Sequence, residues 1–407
     1  MRPTFLISAI LSVLAAPLAA QLGLPRASMP DVRGVLEAVT DPLEDATAET
    51  RRTTERLAQQ RLRTIDRLVR RNEGVIERDA RGEPARRGEL LVTGADAAAL
   101  RILAENGFTV LSREEIEGLG FTVLRVGVPA DSDLAEAEML LTTLLPDAET
   151  SADNLHFQSG ASTKVSVPAA SSSANLDNAA PVGMIDGAPG AGMKVTSTRG
   201  FAKGAPYPSN HGSAVASLLD HAGARDIRVA DVYGKDKAGG NALAIAKALG
   251  WLTASGSKVV TISLVGPRNP VLERAIVAAR RKGVVVVAAV GNDGPAAPPA
   301  YPASYDGVIA VTAVDGKRRA LIEAGRALHL DYAAPGADIY GRNAKGKRIA
   351  LRGTSFATPL VAARAAHAIG AGKDWRDALD EEAVDLGRKG PDGTFGRGLV
   401  CGSCKGR

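Results

Sequence analysis

Cysteine is nearly missing from this chain: among 407 residues the two are Cys401 and Cys404, spaced as Cys-x-x-Cys. A pair this close in sequence staples no core, so a multi-bridge disulfide scaffold is excluded. Zinc would need two further ligands, and no histidine lies nearby in sequence. A thioredoxin-like redox role wants the motif at the head of a helix, which this tail does not supply. In an oxidising compartment the pair is expected to close a small local disulfide. Long apolar runs are also lacking, and after residues 5–14 none is long enough to be a membrane span. No aromatic residues interleave with the arginines of the basic stretch, so a nucleic-acid surface has little support. Histidines number five, which leaves few side chains for proton transfer near neutral pH.

What is present divides the chain. Arg2, the apolar run 5–14 and Pro17-Leu18-Ala19-Ala20-Gln21 read as a signal peptide spanning residues 1–20, cut after Ala20, with no cysteine following it to carry a lipid. Export is therefore expected, to the medium or the periplasm. The remaining length exceeds what one core usually supports. Residues 21–87 form a basic helical leader in which Ala58, Leu62, Ile65 and Val69 make an apolar stripe while arginines hold most other faces, as in a solvated helix. Residues 88–159 give strands at 89–93, 108–111, 120–128 and 154–158 and helices at 95–106 and 134–145, a split βαβ, ferredoxin-like order. A Ser/Ala-rich linker covers 160–180. Across 181–400, strands near Val182, Ile227, Val259, Val284 and Gly307 alternate with helices near Ser213, Ala242, Pro270 and Ser355, which predicts an α/β fold with a mostly parallel sheet covered on both faces. Residues 401–407 are a tail.

Charge separates two of these units. Residues 88–159 carry three Lys or Arg against thirteen Asp or Glu, while 160–407 carry thirty-two against twenty. Opposite fields of that size favour docking of one on the other, weakened by salt. They also account for the basic balance of the whole without invoking nucleic acid.

The chemistry concentrates in four places. Gly353-Thr354-Ser355-Phe356-Ala357-Thr358-Pro359 sets a serine at the start of a small-residue helix, where free backbone N–H groups and the helix dipole favour developing negative charge. A serine nucleophile needs a base, and the base needs an orienting group. His211, in Asn210-His211-Gly212-Ser213, stands at another helix start, and Asp186 ends the apolar run Val182-Gly183-Met184-Ile185, at the strand tip where ligands collect in open α/β sheets. Asn292 follows the run 284–291, with its amide placed to donate to an oxyanion.

In that order, Asp186, His211, Asn292 and Ser355 make the chain resemble the subtilisin-like serine proteases. Stretches 259–264, 301–311, 331–336 and 395–400 are similar to family segments, so the resemblance covers about 182–400. It implies a serine endopeptidase in which His211 is base then acid, Asp186 orients it, Ser355 attacks, and Asn292 binds the oxyanion. Ala238, Gly239, Gly240, Ser263, Leu264, Val265, Gly266, Ala289, Val290 and Gly291 would line the substrate cleft. Residues 88–159 would be the propeptide, an intramolecular chaperone and inhibitor, with self-processing between about Gln158 and Ala161. Such catalysis needs no cofactor; structural calcium is left open, with no site shown by the sequence. The partners implied are polypeptide substrates and the chain's own propeptide. A catalytically silent binding protein and an esterase are the alternatives. Two departures stand out: Gly187-Ala188 follows Asp186 where the family usually has Ser or Thr then Gly, and Ala214 replaces a common second histidine. Val265 and Val290 also stand where glycine and alanine are usual, which predicts a shallow pocket for the residue before the cut.

Overall fold

A computed structural model describes residues 48–158, 160–163 and 178–404; the expected signal peptide and most of the linker lie outside them. The larger unit is built on seven parallel strands in the order Tyr332–Pro335, Ile309–Val314, Val285–Ala289, Val259–Ile262, Val182–Asp186, Ile227–Asp231 and Ser197–Gly200. The central strands are β-branched and apolar with little polar alternation, because both faces are covered. Successive side chains point to opposite layers. Met184, Val259 and Val287 pack under helices Asn210–His221 and Thr354–Gly370, whereas Ile185, Val260 and Val286 pack under Ala242–Ala254 and Pro270–Arg281. Cys401 and Cys404 are joined in a disulfide buried against the first of these layers.

The smaller unit is an antiparallel sheet around Pro84–Thr93, which pairs with Ile76–Arg78, Phe121–Gly127 and Glu149–Asn154; Thr109–Ile116 forms the far edge. Leu90, Val92, Leu124 and Val126 face helices Ala97–Glu105 and Leu134–Leu144. The alternate residues Leu91, Ile116 and Val123 pack on the larger unit's outer helices instead. Acidic side chains of the small unit meet basic ones across this contact: Glu114 with Lys247 at 2.8 Å, Glu117 with Arg199 at 2.7 Å, and Glu149 with Arg274 at 3.2 Å. Asn269, which caps helix Pro270–Arg281, also donates from Nδ2 to Ala152 O at 2.9 Å.

Two expectations need correction. The strand expected over 154–158 is split, since Glu149–Asn154 closes the small sheet while Phe157–Gln158 pairs antiparallel with Leu264–Val265 of the large unit. Local β-propensity cannot say which sheet a strand joins. The leader helix, Ala48–Arg71, expected as a solvated element, keeps most of its side chains exposed but docks by one edge. Ile65 is buried, Leu57 lies against Gly294, and Leu68 and Val69 pack near Ile76, Leu155 and Ala238. Leu62, placed on the inward stripe from periodicity, is 57% exposed. Arg61 takes the inward position instead, paired with Glu83 at 2.9 Å and Asp293 at 3.5 Å.

Candidate active site

Asp186 is the last residue of its strand and is fully buried. Its Oδ2 lies 2.8 Å from His211 Nδ1, and its Oδ1 accepts from Gly187 N at 2.7 Å. An ionised carboxylate only accepts, so Nδ1 carries the proton and Nε2 is left as the basic nitrogen. His211 is the second residue of its helix, whose start is fixed by Ser209 Oγ accepting from Gly212 N at 2.8 Å. Gly212 is required there, because a Cβ would fall 1.9 Å from Gly187 O.

Ser355 is the second residue of helix Thr354–Gly370. Gly353, before it, has φ 140°, and a side chain there would run into Gly160 and the Asn292 amide. Pro359 lies one turn on, and having no N–H it leaves Ser355 O without its helical donor. Ser263 Oγ donates to that oxygen at 2.9 Å, while Ser355 Oγ donates to Ser263 O at 3.0 Å. The proline therefore ties the serine turn to the strand that leads into Leu264–Val265. Phe356 brings its ring to 5.3 Å from the His211 ring.

Asn292 accepts from Thr354 N at 3.0 Å through Oδ1. Its Nδ2 is buried and has no hydrogen-bond partner among the described residues. Leaving such a donor unmade costs about 1–3 kcal/mol. Nδ2 lies 2.9 Å from where a Cβ on Gly353 would be, beside the serine turn.

The chain's own segment after the small sheet runs through this cleft. Leu155 bridges Asn241, His156 N donates to Gly240 O at 2.8 Å, and Tyr233 Oη donates to His156 O at 2.7 Å. Phe157 pairs with Val265 and Gln158 with Leu264; beyond the cleft, Ala161–Thr163 pairs antiparallel with Arg348–Arg352. Gln158 Nε2 also donates to Asp186 Oδ1 at 2.7 Å. His156 is buried, and among the described residues neither ring nitrogen finds a partner in hydrogen-bonding geometry. Burial pushes its pKa down to about 4, offset only in part by the Asn154 backbone. Asp153, buried at the start of helix Ala242–Ala254, has its pKa raised to about 7 by burial, although Leu243 N and Arg86 act the other way.

Of the expected cleft residues, Gly240, Leu264 and Val265 touch this segment through the backbone, and Gly266 packs on the His156 ring. Ala238 packs with Leu155, and Gly239 belongs to the turn after Tyr233. Ala289 is buried at its strand end, while Val290 and Gly291 line a cavity of about 670 Å³ together with Val265, Ala300 and the leader residues Leu57, Arg61 and Ile65. The contact of Tyr233 with the segment in the cleft, that of Gln158 with Asp186 and the seat of the leader helix beside the cleft were not read from the sequence. For Ser263 a further signal was available in Pro359, whose missing N–H leaves the Ser355 carbonyl in need of a donor. Among the described residues no group of three or more His, Cys, Asp or Glu is placed to hold a metal ion, and no helix is long and apolar enough to cross a membrane.

Comparison with known proteins gives a consistent picture. Residues 196–398 match the model of the Subtilase family. Subtilisin DY of Bacillus licheniformis is 34% identical over 166 residues, 39% of this chain and 60% of that protein. Subtilisin BL of Lederbergia lenta is 33% identical over 189 residues, 45% of this chain and 68% of that protein. Among solved structures, fervidolysin from Fervidobacterium pennivorans, described as a keratinolytic enzyme related to subtilisin, superposes with a TM-score of 0.64 at 18% identity, over 79% of this chain and 61% of its own. That likeness supports the subtilisin-like fold.

Proposed function

Because the chain belongs to the subtilase family, we propose that it is a serine endopeptidase made as a self-processing precursor. The observation that carries the reading is the path of residues 155–158 and 160–163, whose strand pairings run along the cleft beside Asp186, His211, Asn292 and Ser355. Strand addition of this kind presents a peptide bond by its backbone and its side chains to pockets.

Ser355 Oγ attacks the carbonyl carbon, and its proton passes to His211 Nε2. Asp186 holds the imidazole in the required tautomer and stabilises its charged form. The oxyanion is received by Asn292 Nδ2 and a backbone N–H beside Ser355. Collapse breaks the C–N bond, with the amine taking the proton from His211, and water then releases the acyl group by the same steps in reverse. Phe157 stands opposite Val265, Gln158 opposite Leu264, and Gly160 beside Gly353, which supports Ser159–Gly160 as the bond cut. Val265 lies 3.4 Å from where a side chain on Gly291 would begin, in keeping with a small residue before the cut.

In this reading residues 88–159 are the propeptide, 21–87 its leader, and the N-terminal apolar run directs export. The test compares the intact mass and N-terminus of the wild type with those of Ser355→Ala from the same host. The wild type should begin at Gly160 and the variant should keep the 159–160 bond; identical N-termini within the leader would refute self-cleavage.

A further inference from the structure

We propose that the cleft selects glutamine two residues before the cut, and that the substrate's own amide completes the hydrogen bonding of Asp186. The inference rests on the peptidase reading above and adds to it a substrate class. Asp186 is fully buried, with Oδ2 committed to His211 and Oδ1 to Gly187 N. A buried carboxylate is stabilised by each further donor. Among the described residues the one side chain that donates to Oδ1 is that of Gln158, at 2.7 Å, and Gln158 belongs to the segment lying in the cleft as substrate.

The opening through which that amide enters is a property of residues 187 and 209. Gly187 has no side chain; a Cβ there would stand 3.4 Å from Gln158 Nε2 and 2.6 Å from Ser209 Oγ. Ser209 Oγ accepts from Gly212 N in capping the helix that carries His211. Among the described residues no hydroxyl of the larger unit donates to Oδ1, and the absent side chain at Gly187 leaves a gap that the five-atom glutamine side chain fills. Asparagine is one methylene too short for the same reach, methionine matches the length without a donor, and glutamate would set a second carboxylate against the first. A second donor on Oδ1, beside Gly187 N, restricts further the rotation of the carboxylate about its own axis. It thereby narrows the directions in which Oδ2 holds the imidazole, so the contact should act on turnover as well as on binding.

The experiment uses the processed enzyme that the wild-type precursor yields and a decapeptide spanning residues 154–163. Variants of the peptide carry Met, Asn or Glu in place of Gln158. Glutamine should exceed methionine in kcat/KM by about ten- to a hundredfold, the range for hydrogen bonds to a charged group, with a substantial part of the loss in kcat. Glutamate should be worst. In the precursor, Gln158→Met should slow self-processing by a similar factor while Ser355→Ala abolishes it. Equal turnover of the glutamine and methionine peptides would overturn the proposal and leave the peptidase standing. A loss confined to KM would overturn the orienting role of the amide. If no peptide is cut by wild type above the Ser355→Ala background, the peptidase reading itself fails.

Discussion

Two segments of one chain lie over the cleft, and they are held there by different means. Residues 156–158 and 161–163 enter as strand segments whose backbones pair with Gly240, Leu264–Val265 and Arg348–Arg352. Helix Ala48–Arg71 satisfies its backbone internally and is held by side chains alone, with Leu57 and Ile65 inward and Arg61 between Glu83 and Asp293. With Gly160 beside Gly353, the strand segment carries the bond proposed to be cut. The helix carries none, and a cavity of about 670 Å³ remains between it and the wall at Val290–Gly291. On the proposed reading the strand cover is cut before it dissociates, whereas the helix cover leaves by dissociation alone.

The sharpest way to break this contrast is to remove the nucleophile. Ser355→Ala should leave both covers docked and reduce peptide hydrolysis by roughly 10⁶-fold, a size taken from subtilisin itself. Labelling by phosphonylating reagents should vanish with it. Wild-type labelling in the variant would place the nucleophile elsewhere. Next in size is Asn292→Ala, which removes the unpartnered Nδ2 without touching the strand's ladder. Processing should slow by roughly 10²–10³, the loss known for subtilisin's own oxyanion asparagine, with KM for peptides nearly unchanged. A loss confined to KM would make Asn292 a binding group.

The same contrast explains what the sequence could reveal. Asp186, His211, Asn292 and Ser355 each sit where a strong local pattern ends or begins, a buried β-branched run or a small-residue helix start, so their placement was legible without tertiary information. The parallel sheet was legible for the same reason, as unbroken runs such as Val285–Ala289 belong to strands covered on both sides. The helix cover was not. Its inward face carries Thr54, Arg61 and Ile65, and a guanidinium counts as outward in any hydrophobic periodicity. Arg61 turns inward because Glu83 and Asp293, far away in sequence, neutralise it. The split of 154–158 was hidden too, since one extended stretch serves two sheets and its change of partner leaves no trace in alternation.

Breaking the helix cover alone should give a smaller effect. Ile65→Asp places an unpaired charge in the buried seat of the helix and removes apolar contact, while the strand keeps all its hydrogen bonds. Peptidase activity should appear about tenfold sooner in progress curves, from the loss of one buried aliphatic contact. The 159–160 bond should still be the one cut. An unchanged lag would mean that the helix lies on the cleft without restraining it.

The smallest effect expected in the wild type is that of pH on docking of the cut strand segment, because two buried groups oppose each other. His156, with its pKa lowered from 6.5 to about 4, binds a proton more readily when undocked, so its contribution is complete above about 6.5 and is lost as pH falls towards 4. Asp153, raised from 3.8 to about 7, binds a proton more readily when docked, so its contribution is complete in acid and is lost as pH rises from about 4 to 7. Between about 4 and 6.5 the slopes cancel, and from 6.5 to 7 the remaining Asp153 slope weakens docking by about threefold. Asp153→Asn should expose the histidine, with dissociation rising about tenfold per pH unit below 6.5, and His156→Leu should expose the opposite slope. Bound fraction can be followed by sedimentation after Ser355 is blocked with a phosphonylating reagent, which separates docking from the titration of His211. Parallel pH profiles for the two variants would show that these groups do not titrate at the interface.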